Sequence, residues 1–163
     1  MKKFTILGSE TKIEIEVLDR FHPASVGTWE GDWVGAAITV AIPGYAAHFP
    51  ANLRTNEFQE FRDQLAAMNK DLEGTASFLS IEDAIEVKAV MDTLGGIYWE
   101  VSTCYPVRGA VLTFDFGSDQ SYLDQLIKEL DEVLTEFPVL ESQNDFKSNF
   151  KKISGKIFGS RRN

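Results

Sequence analysis

A chain of 163 residues and 18.3 kDa, 44% hydrophobic and 25% charged, suits one globular domain of ordinary size that folds without a disulfide or a metal. Its 25 acidic residues against 16 basic ones, net −9 with a pI of about 4.7, disfavour unaided nucleic-acid binding, which needs a basic patch to attract phosphate, and suit a basic protein partner. No run approaches the roughly eighteen uninterrupted apolar residues of a membrane span, and the apolar stretch after Met1-Lys2-Lys3 is too short for a signal core, so cytoplasmic residence is expected.

In chain order, Lys12-Ile13-Glu14-Ile15-Glu16-Val17-Leu18 alternates strictly and reads as a strand with one wet face. Residues 19–32 are loop-like, and 33–42 read as a more buried strand that ends at the turn signal Pro43-Gly44. A strand over 45–53 contains Pro50, which implies a bulge or a sheet edge because proline has no N–H for the ladder. Thr55 is a candidate N-cap for a helix whose apolar residues Phe58, Phe61, Leu65, Met68 and Leu72 recur every three or four positions, with Gly74 as its stop.

Four further strands are expected at 75–79, 84–91, 97–105 and 110–116, with short connections that favour antiparallel hairpins. Ser118 or Asp119 can cap a second helix that runs to about Phe137 and ends at Pro138. The expected fold is therefore α+β, mainly an antiparallel β-sheet with two amphipathic helices packed on it. The halves share a strands-then-helix order without a residue-level repeat.

Composition changes after Pro138. Positions 1–137 hold 23 acidic and 10 basic residues, whereas 138–163 hold six basic residues and two acidic ones. The chain divides accordingly into a single α+β domain over 1–138 and a basic tail over 139–163. Phe146, Phe150, Ile153 and Ile157 lie at helical spacing in that tail, so a third helix, a membrane-surface segment and a frayed extension all stand open.

Phosphate loops, dinucleotide fingerprints, zinc-protease motifs, CxxC pairs and nucleophile elbows are all missing from the sequence, so no catalytic residue, metal ligand or cofactor is assigned. His22 and His48 read as structural, and Cys104, the one cysteine, reads as a buried reduced thiol. Glu100 and Asp115 fall on adjacent expected strands, but two carboxylates need a defined separation across a cleft before they make an acid/base pair. The most distinctive segment is Trp29-Glu30-Gly31-Asp32-Trp33. Trp29, Glu30 and Asp32 are the candidate partner-binding residues, because tryptophan is enriched in binding hot spots; the alternative buries Trp33 and lays Trp29 over a sheet edge.

The strand Ile13-Glu14-Ile15-Glu16-Val17, the segment from Trp29 to Trp33, the helix Glu57-Phe58-Gln59-Glu60-Phe61-Arg62-Asp63-Gln64-Leu65 running into Leu72-Glu73-Gly74-Thr75-Ala76, and Asp119-Gln120-Ser121-Tyr122-Leu123 continuing to Glu136-Phe137-Pro138 follow one another over about residues 10–138. In this succession the sequence resembles the WapI-like family of bacterial immunity proteins. The resemblance implies a cytoplasmic, non-enzymatic antidote that binds the C-terminal domain of a cognate secreted toxin, a tRNase or another nuclease, and occludes its active site. An acidic antidote would meet a basic, RNA-binding cleft. The alternative is a non-enzymatic small-molecule-binding or structural module with a cavity between sheet and helices.

Overall fold

A computed structural model of the chain describes residues 1–140. The elements run β1 Lys2–Gly8, β2 Thr11–Arg20, β3 Trp33–Ile42, β4 Tyr45–Arg54, α1 Thr55–Asp71, β5 Gly74–Leu79, β6 Ile85–Met91, β7 Gly96–Tyr105, β8 Ala110–Asp119 and α2 Leu123–Glu136. The readings of the tail concern residues of which 141–163 lie outside the described ones.

The expectation of one main sheet is wrong. The strands form two separate four-stranded antiparallel sheets, ordered β1-β2-β3-β4 and β5-β6-β7-β8, each followed by one helix. Hairpins keep pairing local within each set of four, and α1 interposes between β4 and β5, so the second set starts a new sheet beside the helix. An extra strand, β1, also lay unread at the N-terminus. Its short alternation puts Phe4 and Ile6 in the core and leaves Lys3 exposed, and it pairs with β2 through Phe4↔Ile15 and Ile6↔Ile13.

Each sheet buries one face by two-residue alternation. In the first sheet Ile15, Ile38 and Phe49 lie side by side in register, and in the second Phe78, Val87 and Val101 do the same. Helix α1 presents Phe58, Phe61, Leu65 and Met68 to this interior, and α2 presents Leu123, Leu126, Leu130 and Val133. The sheets meet through aromatic rings. Phe4 of β1 packs edge-on against Phe58 at 5.5 Å and Phe78 at 6.1 Å, and Phe78 lies 5.7 Å from both Phe58 and Phe61. Burying each such ring stabilises by about 1.5–3 kcal/mol, and because the cluster draws on β1, α1 and β5 it joins both halves into one core.

Local chemistry sets the boundaries. Gly44, at φ 81°, completes the Pro43-Gly44 turn between β3 and β4. Thr55 opens α1, while Arg54 is its N-cap and the Glu57 side chain accepts from the Arg54 N–H at 3.0 Å. Leu72 ends α1 in the left-handed region at φ 53°, so the stop falls before Gly74, which opens β5. Asp119 accepts from Ser121 N–H at 2.8 Å and caps the short turn 120–122 that leads into α2. Cys104 is half-buried on the outer side of β7, with its neighbours Thr103 and Val101 turned to the core.

Candidate partner interface

The segment 29–33 folds as a single helical turn, Trp29–Asp32, that feeds β3. Gly31 sits so close to the Ser25 carbonyl that a Cβ there would meet its oxygen at 2.3 Å. Asp32 is fully buried: its carboxylate accepts from Thr55 Oγ1 at 3.1 Å and from Leu140 N–H at 2.6 Å, and lies 3.7 Å from the Arg20 guanidinium. Arg20 also donates to the Gly31 carbonyl and to the Pro138 carbonyl. Burial lowers the Arg20 pKa, and the Asp32 charge opposes that shift. Asp32 thus clamps the entry of β3, the start of α1 and the segment 138–140.

Trp29 and Trp33 are half-buried, with rings at right angles and 5.5 Å apart. The buried Arg54 guanidinium lies 4.9 Å from the Trp29 ring and 5.8 Å from the Trp33 ring. The Trp29 indole N–H is buried and makes no hydrogen bond among the described residues. Glu30 is exposed. Of the three residues singled out in the sequence, Glu30 reaches solvent freely, Trp29 does so in part, and Asp32 faces inward. Beside this node the Glu57 carboxyl is pushed up to about 7 by burial, against the opposing pull of the Arg54 and Ile81 N–H donors and the Arg54 charge.

The second charged surface is the outer face of β5–β8, which sequence reading touched only through Glu100 and Asp115. These two are direct cross-strand partners, and like charges placed so repel. Lys88 stands opposite Glu100 but is engaged by Glu86 at 2.7 Å. Tyr98 and Val90, paired across β6 and β7, are about half exposed beside the acids. Desolvation and the neighbouring Asp115 raise the Tyr98 pKa. The outer face of β1–β4 differs, since Glu14 is held by both Lys12 at 2.9 Å and Lys3 at 3.1 Å. Those contacts lower the Glu14 pKa, led by the hydrogen bond from Lys12.

A cleft of about 280 Å³ opens between β4 and the β7–β8 hairpin, lined by Phe49, Thr103, Tyr105, Val111 and Leu112 among others. It lies between strands, away from the space between sheet and helices. Among the described residues no group of three or more His, Cys, Asp or Glu side chains is placed to hold a metal ion, and no helix is long and apolar enough to cross a membrane.

The outer face of β5–β8 thus places Glu100 and Asp115 beside the half-exposed Tyr98 and Val90, and sequence comparison gives the class: immunity proteins. Residues 5–138 match the model of the immunity protein WapI-like family, and the chain belongs to that family, with a general role in toxin immunity. No curated protein sequence matches it. Among solved structures, WHY1 from Arabidopsis thaliana is similar at TM-score 0.49 and 11% identity, over 93% of this chain and 92% of that one. WHY3 from the same plant gives 0.48 and 11% over 94% and 96%. The plant transcriptional regulator PBF-2 gives 0.50 and 10% over 82% and 88%, a likeness of fold alone.

Proposed function

We propose that this chain binds and neutralises the C-terminal domain of a cognate secreted toxin in the cytoplasm, catalysing nothing itself and blocking the toxin's active site by occupation. The toxin is a tRNase or another nuclease. The carrying observation is the outer face of β5–β8, where Glu100 and Asp115 stand opposed with Tyr98 and Val90 exposed beside them. A cleft that binds RNA is basic, and such a surface supplies both the charge to steer it and apolar area to hold it. The 23 acids against 10 bases of residues 1–137 extend that field over the domain and oppose any direct contact with nucleic acid, so the regulatory role named for PBF-2 is not carried over.

Trp29 and Glu30 form a second, smaller contact, and Asp32 acts there from behind by fixing the turn that presents them. The domain ends near residue 138, where the Arg20 and Asp32 contacts anchor the chain before the basic tail. Co-expression with the toxin domain encoded beside this chain tests the reading. Protected cells and a stable complex whose association slows as salt rises are expected; unprotected cells without a complex would sink it.

A further inference from the structure

Two open-ended sheets have four edge strands, and an edge strand offers unpaired N–H and C=O groups to any chain that can pair with them. In an extended strand the backbone groups of successive residues point to opposite sides, so one known hydrogen bond fixes the direction of all the others.

Three of the four edges carry a guard. On β1 the outward Thr5 N–H donates to Glu129 of α2 at 2.8 Å. On β5 the outward Ser77 N–H donates to Gln64 of α1 at 2.8 Å. On β4 the direction follows from β3: the Trp33 carbonyl accepts from Phe21 N–H, so odd residues of β3 face β2 and even ones face β4. With Ile38 opposite Phe49, the outward residues of β4 are Ala46, His48, Pro50, Asn52 and Arg54. Pro50 has no N–H to offer there, and the Arg54 N–H is taken by Glu57.

The β8 edge carries no such guard among the described residues. Cys104 N–H donates to the Ala84 carbonyl and the Gly96 carbonyl accepts from Asp92 N–H, so even residues of β7 face β6 and odd ones face β8. The register Thr103↔Leu112 and Val101↔Phe114 then commits Leu112 and Phe114 to β7. Val111, Thr113 and Asp115 turn their backbone groups outward. Beyond them the end of β1 covers the strand, where Gly8 lies against Phe116 and Gly117. The open stretch 111–115 is about 17 Å long and rich in β-branched and aromatic neighbours.

Resting on the immunity reading, we propose that the toxin domain binds by adding an extended, basic segment as a fifth strand along β8. Charge selects this occupant. Asp115 lies on the open stretch with Glu100 behind it, and a second copy of the same acidic domain would bring like charge to the edge. The cleft beside Val111 and Leu112 receives a side chain of the added strand, which gives specificity on top of the main-chain bonds.

The test uses the full chain and the toxin domain encoded beside it. Thr113→Pro removes one outward N–H and leaves the β7 ladder intact, whereas Thr113→Ala keeps that N–H and trims the side chain. The proline variant should lose about tenfold or more in affinity and the alanine variant less than about threefold. Equal losses assign the contact to the side chain and overturn the proposal; wild-type binding by both overturns it too, with toxin immunity left standing. Should Thr113→Pro not fold, amide exchange of the unmutated chain decides. The Val111, Thr113 and Asp115 amides should exchange fast in the free chain and at least about tenfold slower in the complex. Unchanged exchange in the complex, or slow exchange already in the free chain because a second copy or residues 141–163 fill the edge, overturns it. A wild-type chain that never binds the toxin removes both readings together.

Discussion

The first sheet guards both of its edges, with Glu129 on β1 and with Pro50 and Glu57 on β4, and pairs its outer-face Glu14 with two lysines. Among the described residues the second sheet guards β5 alone, and places Glu100 opposite Asp115 beside an unguarded β8. The two halves follow one plan of four strands and a helix, so the plan itself does not account for the difference. Edge guards cost side-chain freedom and restrict sequence, and among the described residues β8, the edge on which the proposed pairing falls, carries none.

Phe78→Ala tests most severely whether the halves are one unit. It removes the ring shared by Phe4, Phe58 and Phe61 and should cost about 3–5 kcal/mol, read as a lower urea midpoint in a single cooperative transition. Two separated transitions would show instead that the sheets fold independently. Asp32→Ala should cost about 3 kcal/mol, because it strips the partner from the mostly buried Arg20 guanidinium and unties 138–140 from the helix start. Glu30→Ala, which trims an exposed side chain, should stay within about 0.5 kcal/mol of wild type in thermal melts.

Glu57 ties Arg54 at the β4 edge to Ile81 just past β5, so its titration reads the seam between the halves. Its folded pKa of about 7 exceeds the ordinary 4.5, so the folded chain holds the proton more tightly than the unfolded one. Its contribution is fully present below about pH 4.5 and is lost as pH rises through about 7, on the order of 3 kcal/mol. Wild-type stability relative to Glu57→Gln should fall over that window and then level off. A carboxyl resonance titrating near 4.5 would contradict this. The smallest effect is expected from Pro50→Thr, which adds an outward N–H to β4 between those of His48 and Asn52: stability within about 0.5 kcal/mol of wild type, with self-association rising with concentration in light scattering.

Much of the local structure was legible because it is written in short-range periodicity. Ile13-Glu14-Ile15-Glu16-Val17 could be nothing but a half-buried strand, and Phe58, Phe61, Leu65 and Met68 marked one helix face. The N-terminal strand escaped because Phe4 and Ile6 give too few repeats next to the charged start. Segment 29–33 is distinctive in sequence, yet nothing in its spelling tells that Asp32 turns inward to Thr55 and Arg20 while Glu30 turns out.

By itself the sequence determined the acidic charge, the strands other than β1, the two helices and the family to which they belong, because alternation, helical spacing and composition act between near neighbours. Only the tertiary structure decided that the strands divide into two sheets, that Glu100 meets Asp115, and that β8 alone among the described edges stands unguarded. Those outcomes depend on partners far apart in the chain, such as Thr5 with Glu129 and Ser77 with Gln64, and no local pattern encodes which distant side chain will reach an edge first.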